Sequence, residues 1–396
     1  MKLLAVDDAR ARMLAEISLL PAETAPLAAA LGRVLAEDVA AVRDQPPFRA
    51  SAMDGWALRA ADAPGELAVV GESAAGRGYE GAVAAGQAVR IFTGAAVPEG
   101  CDTVVIQEEA QRAGDKVRVP EARPGANIRP AGGDFQAGAL LLRRGERIDP
   151  WRLSLAAAAG RAELAVARRP RIAVLSTGEE IVEAPAAPGP FQIYNSGTPA
   201  LAAMIAGWGG EPLPARPVRD DLDATIAAMR AAESDLLVTV GGASVGDHDL
   251  VRAAAGALGL ELKVASIAIR PGKPTFFGAL SDGRRLLGLP GNPASAFVCA
   301  ELFLRPIIAA YLGAPAQPRL ITARLETALA ANGPREHWMR ARLGYAGGEV
   351  RVQPYRDQDS SLVTVFAVAD ALLRRAPDAA AAEAGEMVEV LPLVRA

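Results

Sequence analysis

The sequence predicts a multidomain α/β protein: a doubly wound α/β block, preceded by helical and β-rich segments and followed by a small β-domain. Three observations carry this reading. From residue 171 to 312, apolar runs of strand length alternate with runs of helical spacing, the pattern of a mostly parallel sheet wrapped by helices. From 41 to 137, short Val/Ile runs are broken by Gly and Pro pairs, as in compact β-structure. The length of 396 residues leaves room for two to four domains at about 100–200 residues each.

Near the N-terminus, Ala9, Met13, Ile17 and Leu20 recur at three- and four-residue spacing, which predicts a helix with one buried face. In the next region, residues 67–70, 88–92, 103–106 and 116–119 read as strands. Helical texture returns over 150–160, before Arg168-Arg169-Pro170, so the β-region reads as an insertion within the first helical unit. In the α/β block, strands are expected at 171–175, 235–240, 262–269, 275–280 and 284–289. Helices are expected at 198–206, opened by Asn195, Ser196 and Pro199, at 222–232 and 249–258, and in a long run from Pro293. Beyond Pro318, strands at 320–326, 338–343, 349–354 and 387–391 close the chain. The expected partition is 1–40 with 138–168, then 41–137 as the insertion, 169–314, and 315–396.

Composition narrows the function. Lys+Arg 42 against Asp+Glu 46 gives a net charge of −4, so no global field draws the protein to nucleic acid or anionic membrane, although a local basic pocket fits within that balance. Gly 39 and Pro 29 point to many turns, short of low complexity. No window offers the ~18 consecutive strongly apolar residues of a span. The longest apolar stretch, 293–308, is interrupted by Glu301 and Arg305, and Asp7 and Asp8 interrupt any signal-peptide core. Cys101 and Cys299 make neither a disulfide framework nor a zinc site. The chain reads as cytoplasmic.

In an open α/β sheet, ligands bind beyond the C-terminal ends of the strands. Four loops there hold nearly all the polar, Gly-rich sequence of the block: Ser176-Thr177-Gly178-Glu179-Glu180; 241–249, which includes Ser244, Asp247, His248 and Asp249; Arg270-Pro271-Gly272-Lys273-Pro274; and Pro290-Gly291-Asn292-Pro293. The glycines let backbone N–H groups approach an anion. Asp249 reads equally as a helix N-cap or as part of an anion site. Asn292 reads as an N-cap with Pro293 at the first helical position, and Pro290 and Pro293 as turn geometry. Arg270 and Lys273 supply cations, one planar fork and one point charge. Acids beside cations at such an edge suit a phosphate with a divalent metal such as Mg²⁺. Taken singly, each loop carboxylate reads as solvated surface.

In the inserted region, Asp54 sits in Ser51-Ala52-Met53-Asp54-Gly55-Trp56, where Asp-Gly is first a turn signal. Thr93 follows a strand into a Gly turn, and Arg129 and Asp134 lie in a charged glycine loop. His248 and His337 lie far apart, which argues against a Ser-His-Asp or His-rich metal site. No Walker loop or dinucleotide fingerprint follows a predicted strand, which argues against a P-loop ATPase or a dehydrogenase.

The runs SAMDGWA (51–57), IFTGAAVPEGCDTVVIQEE (91–109), NIRPAGGDFQAG (127–138), STGEEIV (176–182), GGASVGDHD (241–249), IRPGKPTFFG (269–278) and GLPGNPASA (288–296), in this order, span almost the whole chain. Together they resemble the molybdopterin molybdenumtransferase (MoeA) family, which is similar to the E domain of gephyrin. The resemblance implies a discontinuous helical–β domain, an inserted β-domain, a molybdopterin-binding α/β domain and a C-terminal β-barrel-like domain. It implies that molybdate is inserted into adenylylated molybdopterin with release of AMP, assisted by Mg²⁺. It also implies a homodimer whose cleft lies between the α/β block of one subunit and the inserted β-domain of the other, and a transient contact with molybdopterin adenylyltransferase.

By motif position, the resemblance implies catalytic roles for Asp54, Thr93, Glu180, Asp249 and Lys273. Glu180 and Asp249 are expected at Mg²⁺; Arg129, Asp134, Asp220, Ser244, Arg270, Pro290 and Pro293 are expected at the substrates. Two positions depart from the family's pattern. Arg270 stands where a lysine is common, and Gly133 stands where a Glu usually precedes Asp134. The nearest enzyme rival, the adenylyltransferase of the preceding step, resembles the α/β block alone. The rival from another class is a catalytically inactive dimeric scaffold of the same family.

Overall fold

The computed structural model describes residues 3–214, 217–241 and 250–393. By packing, the chain divides into two compact units. Met1–Glu23, Gly32–Ala36 and Ala165–Ala396 form one; Thr24–Leu31 and Glu37–Leu164 form the other.

The larger unit is built on a six-stranded sheet. Glu211–Leu213, Arg171–Ser176, Leu236–Val240 and Arg285–Leu289 lie in that order and run parallel. Phe276–Ala279 is antiparallel to Arg285–Leu289, and Glu261–Val264 is antiparallel to Phe276–Ala279. Successive residues face opposite cores. Ile172, Val174, Leu236, Val238 and Leu287 share one core; Ala173, Leu175, Leu237 and Leu286 share the other. Because both faces are covered, these strands read in sequence as unbroken apolar runs. The first face is packed by helices Val6–Ala15, Gly197–Trp208 and the helical run from Pro293; the second by Leu222–Ala231 and Leu250–Ala257. The N-terminal helix ends at Ala15, so Ile17 and Leu20 pack on the core from the segment that follows it.

Two expectations need correction. The single strand expected at 262–269 is broken. Glu261–Val264 stays in this sheet, while Ile269–Arg270 pairs with Glu336–His337 of the C-terminal sheet. Between them, the chain is taken up by the N-terminal segment: Leu4 N–H donates to the Ser266 carbonyl, and Ala268 N–H donates to that of Leu4. The second correction concerns the absence of any span-like stretch. Pro293–Cys299, a π-helical turn at Ala300–Leu304, and Arg305–Leu312 form one continuous helix, with mean hydropathy 1.6, long and apolar enough to cross a membrane. It is 83% buried inside the protein, as the core helix of the α/β block. Glu301 within it is paired with Arg305 at 3.1 Å, and burial pushes its carboxyl above the usual range.

The C-terminal strands close into a five-stranded barrel in the order Glu336–Ala346, Glu349–Pro354, Ile321–Leu325, Met387–Pro392, Ala371–Arg375 and back to Glu336–Ala346. Small and branched residues fill it, among them Ala323, Leu325, Ala341, Val352, Leu373 and Val390. Ala371–Arg375 was not expected as a strand. Leu373 points into the barrel and Leu372 into the α/β core, so burial on both sides leaves no alternation to read.

In the smaller unit, all four expected strands occur in one sheet of six, ordered Thr103–Ile106, Gly55–Leu58, Gln87–Ile91, Gly65–Ser73, Lys116–Val119, Gln111–Ala113. Trp56, Leu58 and Ala88 face one core, and Ala57, Val89 and Ile91 the other. The expected helix near 150 is Pro150–Ala158, started by Asp149, whose Oδ1 accepts from Arg152 N–H at 2.8 Å.

Candidate functional site

The strand order reverses direction of travel between Arg171–Ser176 and Leu236–Val240, which makes their C-terminal ends the switch point where ligands lodge in such sheets. The loops that leave this edge meet there through glycine. A side chain at Gly241 would lie 2.9 Å from the Thr177 carbonyl oxygen, and one at Gly291 would lie 3.4 Å from Gly241 Cα. Gly241 also takes φ +95°, a conformation that favours glycine. Backbone therefore packs closely on backbone where these loops meet.

Glu180 is exposed beside this junction. Its carboxylate folds back over Gly178, where a Cβ would lie 2.6 Å from Oε2. Val218 N–H donates to the Ser176 carbonyl at 2.8 Å, which brings Asp220 alongside; its Oδ2 accepts from Glu179 N–H at 3.2 Å. The structure thus brings Glu180 and Asp220 to one edge. Ser244 and Asp249 lie outside the described residues. Among the described residues, no three carboxylate, histidine or cysteine side chains gather in reach of one ion. Of the two residues expected at Mg²⁺, Glu180 alone lies among the described residues.

Pro290 is buried at the end of Arg285–Leu289, and Pro293 opens the core helix at its first position. Asn292 precedes it but does not cap with its side chain, contrary to expectation. Its Nδ2 instead donates to Ser360 Oγ at 2.7 Å, while Ala294 N–H donates to the Ser360 carbonyl at 3.1 Å. A loop from the C-terminal barrel is thereby tied to the Pro-Gly-Asn-Pro turn.

Arg270 and Lys273 are exposed on the loop that enters Phe276–Ala279. Because that strand is antiparallel to Arg285–Leu289, with Phe276 opposite Gly288, its starting end lies at the same edge as the other loops. Arg270 pairs in parallel register with His337. Burial, with Arg270, Arg340 and Arg335 nearby, holds His337 down at about 4.

In the smaller unit, Asp54 and Thr93 meet although 39 residues separate them. Asp54 Oδ1 accepts from Thr93 N–H at 2.7 Å and from Thr93 Oγ1 at 2.8 Å. These two bonds, backbone first, hold the Asp54 carboxyl below its usual range. Asp54 is therefore more than a turn residue: it is an ionised carboxylate fixed by a partner on another loop. Arg129 lies opposite Ala50 in a two-residue ladder beside Ser51. Asp134 is exposed, its N–H bonded to the Gln45 carbonyl at 2.9 Å. Gly133 packs on Pro130, whose ring and carbonyl would come within 3.2 Å of a Cβ, so a Glu at that position would have to shift its neighbour.

Family profiles match the chain in three consecutive stretches. They are the MoeA N-terminal region (domain I and II) over residues 4–160, a probable molybdopterin binding domain over 173–310, and the MoeA C-terminal region (domain IV) over 322–393. A molybdopterin molybdenumtransferase from Staphylococcus aureus (strain N315) is 31% identical over 398 residues, covering 98% of this chain and 94% of its own. The chain belongs to the molybdopterin molybdenumtransferase family. Another molybdopterin molybdenumtransferase, from Nostoc sp. (strain PCC 7120), is 35% identical over 341 residues, 82% of this chain and 78% of its own. Two crystal structures of the molybdopterin biosynthesis MoeA protein of Pyrococcus horikoshii superpose with TM-scores of 0.85 and 0.83. Their identities are 31% and 27%, each over 99% of this chain and 99% and 100% of theirs. This family fold, an α/β protein of several parts with a closed C-terminal barrel, is the one expected from sequence.

Sequence reasoning missed the partners rather than the motifs. Ser360 lies 68 residues from Asn292, and His337 far from Arg270; no local pattern marks either pairing. Only the family motifs point to both Asp54 and Thr93, because each half alone is ordinary turn chemistry.

Proposed function

We propose that this protein takes adenylylated molybdopterin and molybdate, cleaves the adenylate, releases AMP and leaves molybdenum on the dithiolene of the pterin. The observation that supports it most is the glycine-lined edge at the sheet's switch point with Arg270 and Lys273 on the adjoining loop, in a family member matched end to end. Both substrates are oxyanions, suited to backbone N–H groups and charge-assisted bonds. Phosphoanhydride cleavage depends chiefly on positioning and charge neutralisation. Both cysteines are buried, and in this reading the sulfur ligands to molybdenum are those of the pterin.

In this reading, Asp54, Thr93, Glu180, Asp249 and Lys273 serve the reaction, while Arg129, Asp134, Asp220, Ser244, Arg270, Pro290 and Pro293 hold the substrates. The four-part domain partition, the cytoplasmic location and a transient contact with the adenylyltransferase belong to the same proposal. So does the homodimer, in which Asp54 and Thr93 complete a cleft with Glu180, Asp249 and Lys273 of the partner subunit. The inactive scaffold is disfavoured because the fixed Asp54 carboxylate, Glu180 and Lys273 are all retained.

The test is AMP release from adenylylated molybdopterin, followed with and without molybdate and with a chelator. Release that requires molybdate and stops with the chelator supports the reading, including its need for a divalent metal, for which Glu180 and Asp249 are the proposed ligands. Full-rate release without molybdate rules out the insertion reaction, and full-rate release in chelator removes Mg²⁺ from it.

A further inference from the structure

We propose that Thr275 and Cys299 are positioning residues that fix the place from which Lys273 acts; the inference rests on the molybdenumtransferase reading above. Lys273 is exposed, yet the peptide that carries it is anchored from below. Gly272, immediately before it, is buried with φ +113°, and a Cβ there would lie 2.2 Å from Cys299 Sγ. The sulfur therefore fills the space under the loop, and only glycine fits over it.

The Gly272 carbonyl belongs to the same peptide plane as the Lys273 nitrogen. It accepts twice from Thr275, from N–H at 3.0 Å and from Oγ1 at 2.8 Å. Thr275 Oγ1 also lies 3.2 Å from Cys299 Sγ, and both side chains are fully buried. On the other side of the lysine, Ile267 N–H donates to the Lys273 carbonyl at 3.1 Å. Both peptides flanking Lys273 are thus held, and rotation is left to its side chain.

Cys299 stands on the core helix that Pro293 opens, so the pedestal links the cation loop to the Pro-Gly-Asn-Pro turn through one rigid element. With its thiol pushed up to about 12 by burial, Cys299 acts here as a shaped, weakly polar filler and not as a nucleophile. A cation whose backbone is preset loses less freedom when it meets a phosphate, which is how a residue that never touches substrate alters affinity.

The experiment is a double-mutant cycle on the full-length protein. Thr275→Val removes the hydroxyl donor while keeping the shape, Thr275→Ser restores the donor, and Cys299→Ala removes the filler. Each is made with Lys273 intact and in a Lys273→Ala background, and folding is confirmed by circular dichroism. Binding of adenylylated molybdopterin is read from Kd, and turnover from AMP release. With Lys273 intact, Thr275→Val and Cys299→Ala should each weaken binding roughly three- to tenfold, and Thr275→Ser should stay within about twofold of wild type. Without Lys273, the same changes should cost less than about twofold.

Equal losses in both backgrounds would show that Thr275 and Cys299 support the fold generally and do not act through Lys273. If Thr275→Val does not fold, Cys299→Ala carries the same comparison. Wild-type protein that binds and turns over while neither variant changes Kd overturns the pedestal alone. Wild-type protein that neither binds the nucleotide nor releases AMP overturns the functional reading, and the pedestal's role with it.

Discussion

Replacing Gly272 by alanine tests how tightly the cation loop is seated. The new methyl carbon would lie 2.2 Å from Cys299 Sγ, more than an ångström inside ordinary contact, which starts at about 3.5 Å. The sulfur has little room to retreat, because Ala294, Ala296 and Val298 of its helix are fully buried. Overpacking of this kind costs roughly 1–3 kcal/mol. The backbone adds a second penalty: at φ +113° an L-residue is strained, by roughly 1–3 kcal/mol. Together about 2–6 kcal/mol should be lost, either as stability of the larger unit or as displacement of the loop. For a unit of this size, roughly 2–4 °C in Tm accompanies each kcal/mol, so Gly272→Ala should melt roughly 4–24 °C lower by scanning calorimetry, or keep its Tm and lose nucleotide affinity. Gly272→Ala with Cys299→Ala should recover the steric half and leave the backbone half. A Gly272→Ala protein with wild-type Tm and wild-type affinity would refute the seating argument.

Three further outcomes are expected. His337 is held at about 4 in the folded protein, against about 6.5 unfolded, so the stability tied to its neutral form is complete above about pH 6.5 and is lost as pH falls through 4. That is up to about 3 kcal/mol, and urea titrations should show His337→Gln flattening the slope between those pH values; an unchanged slope would assign it to other groups. Thr93→Val removes the hydroxyl bond that helps keep Asp54 ionised, so the acid limb of the AMP-release profile should move to higher pH; a limb that stays put would separate Asp54 from the reaction. Mixing Asp54→Ala and Glu180→Ala chains by co-refolding should return about a quarter of wild-type activity if two subunits share each cleft, since half the dimers are mixed and each has one intact cleft. No recovery, with mixed dimers confirmed by mass, would place the two acids in a cleft made by one chain.

Along the chain, what was legible followed from short-range physics. Alternating strand and helix lengths gave the α/β block, and Gly-Pro punctuation gave the β-regions, because both record local backbone preference and which faces are covered. The glycine loops at 176–180, 270–274 and 290–293 could be placed at one sheet edge because that edge is where a doubly wound sheet leaves its connections. Elements with weak local signals were lost. Ala371–Arg375 is buried on both sides and shows no alternation, and the 262–269 run is divided between two sheets, with Leu4 bonded to the segment between.

The tertiary structure alone decided which side chains meet. Asn292 reads as a cap and instead bonds Ser360; Asp54 reads as a turn and is instead held ionised by Thr93; Cys299 reads as plain core and also seats the peptide of Lys273. Each of these depends on two segments brought together by packing that neither encodes alone. A residue's sequence neighbours set its conformation, whereas its chemistry is set by neighbours in space, and those exist only once the chain has folded.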